Sequence, residues 1–492
     1  MNSFYEEEKI LLNDYLSRAV FKPSYTFEAM VRDLENSSMS EDSDMHGVEL
    51  IVRPECNQKC EYCYIARYGK ELYPVAERGT KEQLIHNIDL LLDYIFVQQK
   101  SYINHWELFA GDLFYDDLYF DIIDTFEKYL SKIKKLYPTV LVAHPGLLLT
   151  PTNFSFLHDD QKANRVREYI KRFEAEYNWE LGFSISTDGK YATATREGIE
   201  LPDEWFDKLF QWSIEYPKNG FHTILSVSNV DTAIQNYEWW KEKCKKWHVD
   251  TNIKPESFLP YYLEARNDEW DTESIEKVMK FLNYMVNDRL AMCDNDIDKL
   301  AYHLFKGDGA NDTLPCLNYS DLISISSAGV DIISKAPCSL SGITCIQVSN
   351  LSFVPCHRLA YHQFRGGIFK TNDDNTKIVD LQPYNVTGYI AAKTFDVHTS
   401  PKCANCIYTS LCKHGCCGSQ FESSGELFLP IRSVCELEKH MITFLIRKYD
   451  TIGVLESAQR QNILPHHLPV VFKEIYHLVG EEGLDYYDRF IS

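Results

Sequence analysis

No stretch of the sequence stays apolar for the about 20 residues that a membrane-crossing helix requires, so no such helix is expected. Met1 to Glu8 carry three glutamates instead of a basic start and an apolar core, so no secretory signal is expected and the expected compartment is the cytoplasm. Positive charge is short as well. Lys and Arg number 50 against 72 Asp and Glu, a net charge of −22, and a phosphate backbone needs a basic face, so nucleic acid is not an expected partner. The one basic run, Lys241, Lys243, Lys245 and Lys246, reads as the solvated face of a helix. There is no internal repeat and no low-complexity tract. The 492 residues are enough for two to four domains with ample core. Cysteine is plentiful, at 15 residues, and in a reducing compartment these read as metal ligands before disulfides.

Three of the cysteines sit on one short loop, Cys56-Asn-Gln-Lys-Cys60-Glu-Tyr62-Cys63, directly after the apolar run Val48 to Val52. A given three-cysteine spacing arises by accident in about one chain in a hundred of this length. The gaps let the backbone wrap around a centre and point three thiolates at it. A fourth ligand is missing from the loop. Structural zinc sites are closed by four ligands, and ordinary ferredoxin clusters by four cysteines. Three thiolates on a [4Fe-4S] cluster leave one iron open to a small molecule. A zinc knuckle or buried free thiols are the competing readings.

With Tyr62 just before its last cysteine, the loop resembles that of the radical S-adenosylmethionine (SAM) superfamily. The resemblance implies a cluster on Cys56, Cys60 and Cys63 whose open iron chelates the methionine end of SAM. Reduction then yields a 5'-deoxyadenosyl radical that abstracts hydrogen.

The pattern along the chain suits that fold. Residues 1–47 form an N-terminal helical segment and linker. Over 48–255, short apolar runs at 48–52, 106–109, 139–143, 181–186, 222–228 and 250–253 read as strands. Helical stretches lie between them; in the clearest, 80–99, Thr80 and Gln83 form a capping box. Alternating strands and helices imply parallel βα units. The expected fold class is α/β: a partial (β/α)6 TIM-type barrel whose site gathers at the C-terminal strand ends. A helical connector, 256–335, contains a Thr272–Leu290 helix. A cysteine-rich region, 336–437, follows, and then a helical C-terminal region, 438–492, with Met441, Phe444, Leu445 and Ile446 as packing residues.

Further resemblances fall at successive strand ends. Ala110-Gly111-Asp112 is similar to the family's Gly-Gly-Glu, whose backbone binds the SAM amino group; Ala and Asp replace the first Gly and the Glu. Ser186-Thr-Asp188-Gly189 is similar to a Ser-x-Asp-Gly motif at the ribose, where hydroxyl and carboxylate suit a diol. Arg196 is a candidate partner for the SAM carboxylate.

The second field is Cys403-x2-Cys406-x5-Cys412-x3-Cys416, preceded by Cys338 and Cys356 and followed by Cys435. These seven positions resemble the SPASM extension of radical SAM maturases. The family's glycine five residues before Cys356 is Leu351 here. The resemblance implies two auxiliary [4Fe-4S] clusters, one on Cys403, Cys406, Cys412 and Cys435, the other on Cys338, Cys356 and Cys416. For the second, Cys345, Cys316 or an open site stands as the fourth position, and spacing favours Cys416 over Cys417. Zinc ribbons are the competing reading. Cys244 and Cys293 fall in helical patterns and read as core.

The implied activity is a radical SAM oxidoreductase, a maturase that oxidatively cross-links a ribosomally made peptide through a thioether or carbon–carbon bond. It would be served by an external electron donor of the flavodoxin or ferredoxin type. The alternatives are a sulfatase-maturating, formylglycine-generating enzyme and a non-catalytic iron–sulfur protein for electron transfer or protein contact.

Overall fold

The computed structural model describes residues 47–109, 111–197, 201–216, 221–247, 261–264, 268–305, 343–393, 400–409, 411–412, 416–464 and 468–491. Twelve strands are described: β1 (Gly47–Ile51), β2 (Lys59–Cys60), β3 (His105–Phe109), β4 (Gly146–Thr152), β5 (Trp179–Ser186), β6 (Arg196–Glu197), β7 (Phe221–Leu225), β8 (Tyr261–Glu264), β9 (Ile343–Gln347), β10 (Ser352–Val354), β11 (Gly367–Thr371) and β12 (Ile378–Pro383). Ten of them form one sheet in the order β12-β11-β10-β9-β1-β3-β4-β5-β7-β8. From β9 to β8 every pairing is parallel, and β9 to β12 are joined antiparallel.

Six strands, β1, β3, β4, β5, β7 and β8, lie side by side in chain order. Parallel neighbours need crossovers, and helices supply them: α1 (Tyr64–Leu72) and α2 (Lys81–Leu92) after β1, α3 (Leu118–Leu136) after β3, α4 (Asp160–Tyr177) after β4, α5 (Asp203–Glu215) after β5 and α6 (Ala233–Trp247) after β7. The capping box of α2 forms as the sequence suggests, Thr80 accepting from the Gln83 amide and Gln83 from the Thr80 amide. Strand alternation places Val48, Leu50, Trp106, Leu108, Leu148, Leu181, Phe183 and Ile185 in the core shared with the helices. Glu49, Glu107, Phe109, Ser184 and Ser186 therefore point to the other face.

One expected strand is misplaced. Residues 139–143 are helical (Pro138–Ala143), and the strand is β4, which begins seven residues further on. Thr139-Val-Leu-Val-Ala143 has β-branched composition, but Pro138 sits at a first helical position where it is favoured, and Val142 is 77% exposed. A real strand needs a buried side, which Leu148 supplies in β4. The run at 250–253 lies outside the described residues; the sixth parallel strand in chain order is β8.

Helix α7 (Thr272–Met292), capped by Asp271 through the Ser274 amide, fulfils the expectation for the connector. Helices α8 (Arg432–Thr451) and α9 (Leu468–Ile491) form much of the C-terminal region, and Met441, Phe444, Leu445 and Ile446 are all buried. Cys244 and Cys293 are buried in the core as expected. Lys241, Lys243 and Lys246 pair with Glu238, Asp288 and Asp207, a surface network between helices and not a basic patch. No described helix is long and apolar enough to cross a membrane.

Candidate functional site

The three-cysteine loop leaves the C-terminal end of β1, the edge where parallel α/β sheets gather their sites. Pairing with the β3 side continues past both strands: Val52 N–H donates to the Phe109 carbonyl (2.8 Å), Gly111 N–H to Arg53 (2.9 Å) and Asp112 N–H to Glu55 (2.8 Å). A Cβ on Gly111 would lie 2.0 Å from the Glu55 carbonyl oxygen, so glycine is required where the two backbones meet. Arg53 grips Asp116 with both guanidinium amines (2.5 and 2.6 Å). The loop is thus zipped to the end of β3 before its first cysteine.

Each cysteine is then fixed differently. Cys56 is exposed, and its sulfur accepts from the Gln58 amide at 3.3 Å and faces the Asn153 side-chain nitrogen at 3.9 Å. Cys60 lies in β2, paired to Arg196 of β6; the Arg196 side chain lies outside the described residues. Cys63 caps α1, where unpaired N–H groups favour negative charge. Although the Cys56 residue is exposed, the protein crowding its sulfur pushes the thiol up to about 12, and Asp112, Cys60 and Cys63 add to the rise. Three cysteine sulfurs on one short loop are a donor set of the kind that a metal centre takes. Among the described residues no three His, Cys, Asp or Glu side chains converge as tightly as ligands of a single ion. In a cluster each thiolate holds a different iron and stands further from its neighbours.

The acidic residues expected at SAM are engaged inside the protein. Asp112 is fully buried, accepting from the Phe114 amide (2.8 Å), the Thr152 hydroxyl (3.1 Å) and the Asn153 amide (3.3 Å). Burial pushes its carboxyl upward. Asp188 is also fully buried; it accepts from the Tyr62 hydroxyl and from the Ile224 amide (2.9 Å). Asn236 donates to the Asp188 carbonyl. The end of β5 therefore holds the aromatic residue of the cysteine loop in place. Ser186 ends β5 half-buried on the face away from the helices. Ala110 lies outside the described residues.

In the second field, Cys338 and Cys316 lie outside the described residues. Cys345, in β9, is buried opposite Glu49 of β1 and Val354 of β10. Burial raises its thiol strongly, and Glu49 and the nearby Cys356 raise it further. Cys345, Cys356 and Cys417 share one apolar cluster. Cys416 is half-buried and close enough to act on the charge of Arg358, whose guanidinium pairs with buried Glu422 (2.5 Å). Cys435 opens α8; burial first, then Cys403 and Cys406, push its thiol up to about 11. Cys412 turns back by donating its amide to Tyr408 (2.8 Å). A cleft of 490 Å³ lined by Cys406, Tyr408, Glu436, Lys439, His440 and Tyr487 adjoins this group.

Several contacts escape the sequence reading. Residues that follow one cysteine of each field interlock: the Arg358 guanidinium lies 4.7 Å from the Tyr64 ring, and the Tyr73 hydroxyl donates to the His357 carbonyl (3.2 Å). Beside them, Glu49 and Glu107 are register partners on β1 and β3, and His357 Nδ1 meets Glu49 at 3.0 Å while stacking on Phe109 (3.9 Å, 6°). The ion pair holds Glu49 below its ordinary range and His357 above its own, against the burial of both. The available signal was a glutamate at the centre of each of two apolar strands. Comparison with protein-family models and with curated proteins finds no match to this chain.

Proposed function

We propose that the protein is a radical SAM maturase that oxidatively modifies a peptide, with the second cysteine field serving auxiliary clusters of the SPASM kind. The observation that carries the reading is the loop itself: three cysteines at the C-terminal end of β1, held by contacts from the ends of β3, β4, β5 and from β6. Cys56, Cys60 and Cys63 would hold the first cluster. When bound with SAM, that cluster supplies a 5'-deoxyadenosyl radical.

The chain's own residues give the loop its shape. Asp188 orients Tyr62, Asp112 fixes the turn after β3, and Gly111 lets the two backbones meet. Ser186 ends β5 on the face that would meet SAM, and six parallel strands in chain order support a partial-barrel geometry. The proximity of Cys435 to Cys403 and Cys406, 32 and 29 residues earlier, supports one auxiliary set. Cys345 and Cys356 share an apolar cluster with Tyr64 and Cys417, and Cys416 is close enough to act on Arg358, in support of the other.

The test is anaerobic reconstitution of the full chain, assayed for 5'-deoxyadenosine and for the mass of a co-expressed candidate peptide. A loss of about 2 Da per site is expected, one hydrogen leaving to the radical and one more with the electron. Replacing Cys56, Cys60 and Cys63 together by Ala must abolish 5'-deoxyadenosine; retained production would overturn the assignment.

A further inference from the structure

The turn that follows β4, Asn153-Phe154-Ser155, reaches the first cysteine of the loop. Phe154 takes a left-handed backbone (φ 60°), which is unfavourable for a bulky side chain. Full burial holds it there: its ring packs on Phe156, Phe183 and Trp212, and its carbonyl accepts from the Trp205 indole N–H (3.3 Å). Strain kept in place by its surroundings marks a backbone that is being aimed. What this turn aims is Asn153, which is buried. Its backbone N–H donates to Asp112 (3.3 Å), and its side-chain oxygen accepts from the Ser155 amide (2.9 Å). An amide N–H needs an acceptor, so that bond fixes which end of the Asn153 side chain is oxygen and turns the NH2 group toward the loop. There Nδ2 meets Asn57 Oδ1 at 2.7 Å and the Cys56 sulfur at 3.9 Å. Asn57 closes the ring by donating to the Ser155 hydroxyl (2.8 Å).

We propose that Asn153 is a positioning residue for the first centre: its side-chain NH2 group holds Asn57 and Cys56 together, and the hydrogen it turns to the Cys56 sulfur raises the reduction potential of a cluster bound there. The inference rests on the reading of Cys56, Cys60 and Cys63 as the first cluster's ligands. Reduction adds negative charge that the ligating sulfurs share. An N–H aimed at one of those sulfurs therefore stabilises the reduced form more than the oxidised one. The Gln58 amide, 3.3 Å from the same sulfur, works in the same sense but belongs to the backbone. Asn153 is the donor that a substitution can remove. Because it comes from the end of β4 and not from the loop, it ties the Cys56 sulfur to the sheet and not only to its own loop.

The experiment is a dithionite titration of the anaerobically reconstituted full chain, followed by electron paramagnetic resonance. The signal read is the one missing from the protein with Cys56, Cys60 and Cys63 replaced by Ala. Asn153→Ser stays neutral and removes Nδ2. Asn153→Asp keeps the shape and the acceptor for Ser155 but turns the donor into a charged acceptor. At a fixed potential, the ratio of reduced to oxidised centre is expected to fall at least threefold in Asn153→Ser, about 28 mV for one electron, and further in Asn153→Asp. Ser155→Ala loosens the same ring of side chains without taking an N–H from the sulfur, and should leave the ratio unchanged. The midpoint does not depend on how much of the protein is loaded, so a variant that takes up less iron is still read. An unchanged ratio in Asn153→Ser, an equal fall in Ser155→Ala, or loss of the signal from both Asn153 variants overturns the proposal, the last in favour of a purely structural role. A wild-type chain without the signal fails the first-cluster reading itself, and the proposal with it, so the two failures are told apart by the wild-type protein alone.

Discussion

Gly111 shows how little room one residue has here. Its missing Cβ leaves space for the Glu55 carbonyl, so Gly111→Ala must push the cysteine loop off β3. A loss of about 2–4 kcal/mol in denaturant unfolding is expected. Gly425→Ala is the control, with a φ of +77° but nothing within 4 Å; it should cost only the backbone strain, about 1–2 kcal/mol. Leu351 has a left-handed backbone (φ 54°), and burial of its side chain in the core offsets the strain. Tyr62→Phe removes the hydroxyl's hydrogen bond to the buried Asp188. An expected cost of about 1–3 kcal/mol follows, readable by the same unfolding assay. Glu107 gives a pH signature. Its folded value near 7 exceeds the ordinary 4.5, so the folded state binds more protons than the unfolded between those values. Its contribution to stability therefore falls as pH rises through that window and is most unfavourable above it. Glu107→Gln should stabilise the protein by about 2–3 kcal/mol at pH 8 and leave it unchanged at pH 4.

Among the elements, β1 carries the most: it pairs with β3 on one side and β9 on the other, and so joins the two cysteine fields through one strand. That link explains why residues after Cys63 and after Cys356 touch. Arg358 is the cross-brace, packed on Tyr64 and paired with the wholly buried Glu422. Arg358→Met strands a buried carboxylate and should cost about 3–5 kcal/mol, whereas Arg358→Met with Glu422→Met should recover most of it. Thermal unfolding of the three proteins decides the matter. The exchange of strand for helix at 138–143 is the instructive miss. Propensity favoured a strand, but the sheet accepted the run that alternates between core and open face.

For the whole molecule, the net charge is −22, and Lys241, Lys243 and Lys246 are each paired with an acid. Metal content is the global test of the cysteine assignments. Cys403→Ala and Cys435→Ala should each lower bound iron by the same amount, because one centre loses a ligand in both. Cys244→Ala, in the core of α6, should leave iron unchanged. Elemental analysis of anaerobically purified protein reads all three, and equal iron in all would refute the auxiliary assignment.

Chain-local pattern was enough for the alternating strands and helices, the capping box at Thr80, the apolar stripe of α8 and the cysteine loop, because periodicity and spacing are carried by consecutive residues. It was not enough for what Asp112 and Asp188 do. Both are held by protein donors, Asn153, Tyr62 and Ile224, that lie far away in sequence. Nor did it reveal the row Cys345, Glu49 and Glu107. Three residues distant in sequence lie side by side only when parallel pairing sets them in one row, and register is a property of the folded sheet.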